Sequence, residues 1–299
     1  MGIHYGFAKA YAKLNLTLDV LSKRDDGYHD LDMVMQSISL CDSVSVRIGD
    51  GEGISVISNI RHIPNDERNI AYKAALAFEK ATGISCKGIH IAMEKRTPSS
   101  AGMAGGSADG AAVLRLLSEL SGAHLSDEEL CEIGVTVGAD VPFCIIGGTA
   151  LARGKGEILT RLKPVSDCFF VIGKPKHGAS TKNVFAKIDS CPIPRHPDTR
   201  AMLYAIENES LSAVCENVYN VFESVVSEDV PEIPDIKNEL LRSGAMTAAM
   251  TGSGSAVFGI FDDETAALSA KKKLAQKYSE VFIARNVGFE KVREVCICK

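Results

Sequence analysis

Residues 98–117, PSSAGMAGGSADGAAVLRLL, constrain the fold more than any other stretch of the chain. Three glycines, Gly102, Gly105 and Gly106, run without a break into a segment where Val113, Leu116, Leu117 and Leu120 recur at i, i+3, i+4 and i+7. That spacing makes one apolar helical face. The chain must therefore turn tightly and begin an amphipathic helix within a few residues, leaving the first N–H groups of that helix without intrahelical partners. Glycine allows the positive φ and close backbone approach of a ligand-wrapping loop. Free N–H groups and the helix dipole favour an anion there. Ser107 is a candidate N-cap, or a hydroxyl offered to a phosphate or a metal ion. Asp109 suits the first turn of a helix but repels an anion, unless it points away or a metal intervenes. The loop matches neither G-x-x-x-x-G-K-[ST] nor G-x-G-x-x-G, so it is neither a P-loop nor a dinucleotide fingerprint. A surface loop ahead of an ordinary capped helix stands as the alternative.

The rest of the chain alternates strand and helix patterns. Residues 12–21, AKLNLTLDVL, place Leu14, Leu16, Leu18 and Val20 on one side and Lys13, Asn15, Thr17 and Asp19 on the other, which predicts a half-buried strand with a polar face. Asp26-Gly27 signals a turn. Shorter alternations follow at Val44-Val46-Ile48, Ile54-Val56 and Ile89-Ile91-Met93, with a helix between Asn69 and Gly83. Ser126 and Glu129 form a capping box for a helix carrying Leu130, Ile133 and Val137. Beyond about residue 160 come a buried strand, CFFVIGKP, helical segments over 198–243, the small-residue loop MTGSGSAVFGIF (250–261), a helix over 263–280 and a strand near VFIARNVG. The pattern is α+β in two lobes, with a boundary near 155–165.

The formal net charge of −5, with both signs scattered, offers no broad basic face for nucleic acid or a membrane, though it allows a local basic pocket for a phosphorylated ligand. No apolar run reaches the length of a membrane span, and the amino terminus lacks a signal-peptide core. Nine cysteines without a C-x-x-C pair read as reduced structural residues, and seven histidines without paired spacing argue against structural zinc.

Five segments, in order along the chain, are similar to motifs of the GHMP kinase superfamily: AKLNLTL (12–18), DGYHDL (26–31), the glycine loop, GADVPF (138–143) and MTGSGSAVFG (250–259). AKLN, DGYH and GADVP resemble in particular the members that act on a cytidine-diphosphate-linked methylerythritol. The resemblance implies an α+β, two-lobed fold, with a ribosomal protein S5 domain 2-like N-terminal lobe and an α/β C-terminal lobe. Residues 1–160 would bind ATP, residues 161–299 would form the substrate side, and the active site would lie in the cleft between the lobes. The implied activity is ATP-dependent phosphorylation of the erythritol 2-hydroxyl, serving the non-mevalonate isoprenoid route. Mg²⁺ would be carried mainly by the nucleotide, with Ser107 as a weak protein contact.

By the same resemblance Asp140 is the general base and Lys13 its neighbour, keeping it ionised. From its own surroundings Asp140, followed by Pro142, fits an N-cap. Pro98, Gly102, Met103, Ala104, Gly105, Gly106 and Ser107 would cradle the triphosphate. Asn69 would lie near the adenine, although it already has a reason to be asparagine as a helix cap. Asn15, Tyr28, His29, Phe185, Gly252 and Ser253 would contact substrate, with Tyr28 stacking on the cytosine, His29 hydrogen-bonding its edge and Phe185 as a second aromatic. For Phe185 a core role is the competing reading. The implied partners are small molecules, with no nucleic acid and no membrane, in a cytoplasmic monomer or homodimer. Other readings are a GHMP kinase for homoserine, mevalonate or a sugar, and a non-catalytic nucleotide-binding protein of this fold.

The loop departs from the superfamily pattern at Ser99 and Ser100, where relatives carry glycine, and at Ala108-Asp109, where they carry Ser-Asn. Ala108 leaves Ser107 as the only hydroxyl there. Gly110 weakens the helix start by about 1 kcal/mol relative to alanine.

Overall fold

The computed structural model describes residues 4–49, 51–178 and 180–298. Two 20-residue strands, β1 (His4–Lys23) and β2 (His29–Ile48), form a long antiparallel hairpin closed by a turn at Gly27. β3 (Ile54–Ser58), α1 (Ile70–Thr82) and β4 (Ile89–Glu94) follow, with β4 antiparallel to β2 and β3 parallel to β4. After the glycine loop come α2 (Gly105–Leu120), α3 (Asp127–Val137) and α4 (Val141–Ile146), then β5 (Thr149–Gly154), which pairs with β2, and β6 (Ile158–Arg161).

The later half adds β7 (Phe169–Lys174), α5 (Thr181–Ile188), α6 (Thr199–Glu207), α7 (Leu211–Asn217) and the two-residue β8 (Tyr219–Asn220). Then follow α8 (Glu223–Val226), α9 (Glu232–Arg242), β9 (Thr247–Met250), β10 (Val257–Phe261) and α10 (Glu264–Leu274). The last elements are β11 (Glu280–Arg285), α11 (Phe289–Val292) and β12 (Val295–Cys298). The result is the expected α+β architecture with two sheets, one of eight strands and one of four in the order β11-β7-β10-β9. β8 and β12 join the first sheet on β1, so strands from the later half of the chain complete the sheet that its beginning starts.

Helix boundaries follow local chemistry. Asn69 caps α1, its side chain accepting from the Ala71 N–H, and Gly83 ends the helix in the left-handed conformation. The Ser126–Glu129 capping box opens α3 as expected. Gly110, a weak helix former, has a packing reason: a Cβ there would stand 2.9 Å from Ile70 Cγ2, so glycine lets α2 close onto α1. α10 stops at Leu274, shorter than the 263–280 span expected.

The expectation of a half-solvated β1 fails. Residues 10–20 are buried on both faces, Lys13, Asn15, Thr17 and Asp19 included. The even positions do not share one core either. Ala8 and Ala10 pack in the main core, Ala12, Leu14 and Leu16 in a second core with Phe170 and Phe258, and Leu18 and Val20 again in the main core. The two switches coincide with register breaks between Tyr11 and Lys13 and between Asn15 and Thr17. The break between Tyr11 and Lys13 shifts the pairing with β2 by two residues, and the break between Asn15 and Thr17 by one, which reverses the side-chain alternation against β2.

Candidate active site

A cleft of about 1240 Å³ is lined by every residue expected at the site except Asn15. Its walls come from the β1–β2 hairpin, the glycine loop, the start of α4, α5 and the loop between β9 and β10. Six cationic side chains, Lys13, Lys23, Arg68, Lys95, Lys155 and Lys182, face it against three carboxylates, Asp109, Asp140 and Asp189. In a chain of net charge −5 this local excess fits a polyanionic ligand.

The glycine loop ends differently from the expectation. α2 begins at Gly105, and its N-cap is Ala104, held at φ +55° with no side-chain cap. Ser107 is therefore not the cap. It lies in the first turn, and the first intrahelical bond runs from the Ala108 N–H to the Ala104 carbonyl. A serine hydroxyl at the cap would have occupied first-turn N–H groups. An alanine leaves those of Gly105, Gly106 and Ser107 for the cleft.

Two backbone contacts fix the loop. The Lys13 N–H donates to the Met103 carbonyl at 3.1 Å, and the Ala256 N–H to the Ala101 carbonyl at 3.3 Å. Gly102 and Gly252 pack against each other, since a Cβ on Gly252 would lie 2.6 Å from the Gly102 oxygen. Both have positive φ, +72° and +55°. The second loop is itself held by Asn220, whose amide donates to the carbonyls of Met250 and Gly252, each at 2.8 Å. Ser253 Oγ lies 2.8 Å from Thr181 Oγ1 on α5.

Asp140 occupies the N-cap position of α4 with Pro142 in the first turn, but its side chain makes no cap hydrogen bond. Its carboxylate, partly exposed, lines the cleft instead. Ser107 is close by: a Cβ on Gly138 would stand 3.9 Å from its hydroxyl. Lys13 reaches the same cleft, and its Nζ donates to Asn15 Oδ1 at 2.6 Å. Asn15 is fully buried behind it, its own amide donating to Met33 Sδ at 3.4 Å and its backbone N–H to Thr251 Oγ1 at 3.0 Å. Asn15, expected to contact substrate, does not line the cleft. The shorter side chain stops one layer short of the cleft and holds the lysine.

A buried ionic cluster lies under the loop. Lys95, from the end of β4, pairs with Asp109 at 2.5 Å and with Asp42, and its Nζ also lies 3.4 Å from the Gly105 carbonyl. Asp42 accepts from the Arg96 and Thr97 N–H groups. Asp109 Oδ1 and Thr97 Oγ1 have no partner among the described residues. Burial pushes the Asp109 carboxyl up to about 7 against the opposing pull of Lys95. The sequence reading missed Lys95, although Asp109 shares a helical face with Val113, Leu116, Leu117 and Leu120. An acid on an apolar stripe calls for a buried cation or a raised carboxyl pKa.

Asn69 lines the cleft with its polar atoms already engaged, Oδ1 by the cap and Nδ2 by the Pro64 carbonyl at 2.7 Å. At the other end Tyr28 is 58% exposed and carries Lys155 Nζ 4.7 Å from its ring centroid. Phe185 stacks on His29 with centroids 4.6 Å apart and meets Phe222 edge-on at 4.9 Å. His29 Nε2 lies 2.7 Å from Asp189 Oδ1, and Lys23 donates to Asp189 Oδ2 at 2.6 Å. Neither Lys155 nor Asp189 carried a mark in the sequence.

An ATP triphosphate fits the uncapped α2 terminus and the glycine loop. No group of three His, Cys, Asp or Glu among the described residues could hold a metal ion. No helix among the described residues is long and apolar enough to cross a membrane.

Residues 69–148 match the family described as GHMP kinases N terminal domain, and residues 202–280 match GHMP kinases C terminal. A 4-diphosphocytidyl-2-C-methyl-D-erythritol kinase of Clostridium tetani is 46% identical over 279 residues, spanning 93% of this chain and 99% of that protein. The protein of the same name from Clostridium perfringens is 43% identical over 282 residues, 94% of this chain and 98% of that one. Among solved structures, a 4-(cytidine 5'-diphospho)-2C-methyl-D-erythritol kinase superposes with a TM-score of 0.79 at 30% identity, covering 94% of this chain and 99% of that one. A homoserine kinase from Cytophaga hutchinsonii reaches 0.76 at 17% identity over 100% and 98% of the two chains, a likeness of fold alone.

Proposed function

The chain belongs to the GHMP kinase family, and on that premise we propose that it transfers the γ-phosphoryl group of ATP to the 2-hydroxyl of 4-diphosphocytidyl-2-C-methyl-D-erythritol, giving the 2-phosphate and ADP. One observation carries the chemistry. Asp140 sits where a helix cap belongs yet leaves its carboxylate unused, in the same cleft as Lys13 and the uncapped start of α2.

Asp140 accepts the proton of the attacking hydroxyl, and Lys13, oriented by Asn15, offsets charge on the reacting oxygens. The loop from Pro98 to Ser107 places the triphosphate, with Met103 packing beneath it, while Asn69 bounds the adenine end. Phosphoryl transfer depends mostly on positioning and electrostatics, so backbone N–H groups do here what a P-loop lysine does elsewhere. The Ser107 hydroxyl would help to hold an ATP-borne Mg²⁺, which would supply neutralising charge on the phosphates when bound. Tyr28, His29 and Phe185 form the nucleoside end, with Lys155 beside Tyr28 for the diphosphate, and Gly252 and Ser253 lie along the polyol. Residues 1–160 act as the ATP-binding domain and residues 161–299 as the substrate-side domain. The protein works in the cytoplasm on small molecules, as a monomer or homodimer.

A coupled ADP-release assay with cytidine-diphosphate-linked methylerythritol, homoserine, mevalonate and galactose tests this. Turnover confined to the cytidine compound is expected. Activity only on one of the other alcohols overturns the substrate, and ATP binding without turnover on any of them overturns the enzyme reading.

A further inference from the structure

α5 addresses one imidazole in two ways. Phe185 and Asp189 lie four residues apart, one turn along the helix and its C-cap. Phe185 covers the face of the His29 ring, with planes 24° apart, while Asp189 Oδ1 meets its Nε2 edge at 2.7 Å. The ring is thereby fixed in rotation. The tautomer of the neutral ring follows from the partner's chemistry. Lys23 and His29 hold the Asp189 carboxyl below its ordinary value, so it is ionised and only accepts. The proton of a neutral His29 must then reside on Nε2, leaving the Nδ1 lone pair as an acceptor. Nδ1 has no hydrogen-bond partner among the described residues and is not sealed from solvent, and His29 lines the cleft beside the exposed ring of Tyr28.

We infer that Asp189 is a specificity-determining positioning residue: by holding His29 as the Nε2–H tautomer, it makes the nucleoside end of the cleft accept a pyrimidine with an amino group at position 4 and reject one with an oxo group. The inference rests on the functional reading above. A cytosine amino group donates to Nδ1, whereas a uracil oxygen would set lone pair against lone pair in a part-dry site. One such mismatch disfavours the wrong base roughly ten- to hundred-fold.

Two measurements on the full chain test this. Nitrogen-15 NMR of the wild-type protein reads the His29 tautomer directly, and Nε2–H with an unprotonated Nδ1 is expected. The ratio of kcat/KM for cytidine- over uridine-diphosphate-linked methylerythritol is then compared among wild type, Asp189→Asn and Asp189→Ala. The ratio falls about tenfold in both variants, mainly through KM, because an amide or a methyl no longer dictates the tautomer. A wild-type Nδ1–H tautomer overturns the inference whether or not the variants fold. An unchanged ratio in folded variants overturns it alone and leaves the function standing. Wild-type inactivity on both compounds overturns the functional reading and the base assignment together.

Discussion

Gly102 of the glycine loop and Gly252 of the loop between β9 and β10 meet backbone against backbone, with no room for a Cβ on either. Gly252→Ala places a methyl carbon 2.6 Å from the Gly102 oxygen, at a φ of +55° that L-residues disfavour. We predict a loss on the order of 3 kcal/mol in stability. KM for ATP should rise as well, since the glycine loop packs directly on Gly252. Thermal denaturation and steady-state kinetics check both, and unchanged ATP kinetics would separate the loops functionally.

Asp140→Asn keeps the shape of the α4 start and removes the proposed proton acceptor. No cap bond is lost, because the wild-type side chain makes none. Turnover should drop roughly 10²- to 10⁴-fold while the melting temperature and calorimetric ATP affinity hold. A large fall in melting temperature would make Asp140 a structural cap after all.

Asn15→Ala distinguishes support of Lys13 from contact with substrate. With the acceptor at 2.6 Å gone, Lys13 loses its orientation, and kcat should fall roughly tenfold with little change in KM for the alcohol. A selective rise in that KM would instead restore the direct contact that the sequence led us to expect.

Lys95→Met strands Asp42 and Asp109 in the protein interior, which should destabilise by about 3–5 kcal/mol. Asp109→Asn should be far milder and carries a pH signature. Burial raises the folded-state Asp109 value from 3.8 to about 7, so the folded chain holds that proton more tightly than the unfolded one. Its stabilising effect is complete below 3.8 and is lost as pH rises through about 7. The melting temperature of wild type relative to Asp109→Asn should therefore decline between pH 5 and pH 8, and parallel curves would refute the assignment.

Chelation should separate catalysis from folding. Among the described residues no side-chain cluster can hold a metal ion. EDTA should abolish phosphoryl transfer yet leave the melting curve of the nucleotide-free protein unchanged, and a shifted curve would reveal a structural metal.

What the sequence disclosed and what it hid divide along physical lines. Asn69, Gly83 and the Ser126–Glu129 box act through neighbours in the chain, and local chemistry announces them. The course of β1 does not announce itself. The run Leu14, Leu16, Leu18, Val20 alternates without a flaw, while the register breaks that split it between two cores arise from how β2 pairs with it. Ala104 as an αL cap was hidden for the same reason, because the loop is held from Lys13 and Ala256, far away in sequence. Asp189 belongs to a segment with no motif, and only its meeting with His29 gives it a role.

β12 pairs with β1 over Tyr5–Ala8, so the last strand covers the outer edge of the first. During synthesis the hairpin and its helices emerge early, but that edge stays open until residues 295–298 have left the ribosome. An open edge is a template for pairing with other chains. The growing polypeptide is therefore most prone to self-association before β12 emerges, and deleting β12 should harm solubility more than the small loss of buried surface suggests.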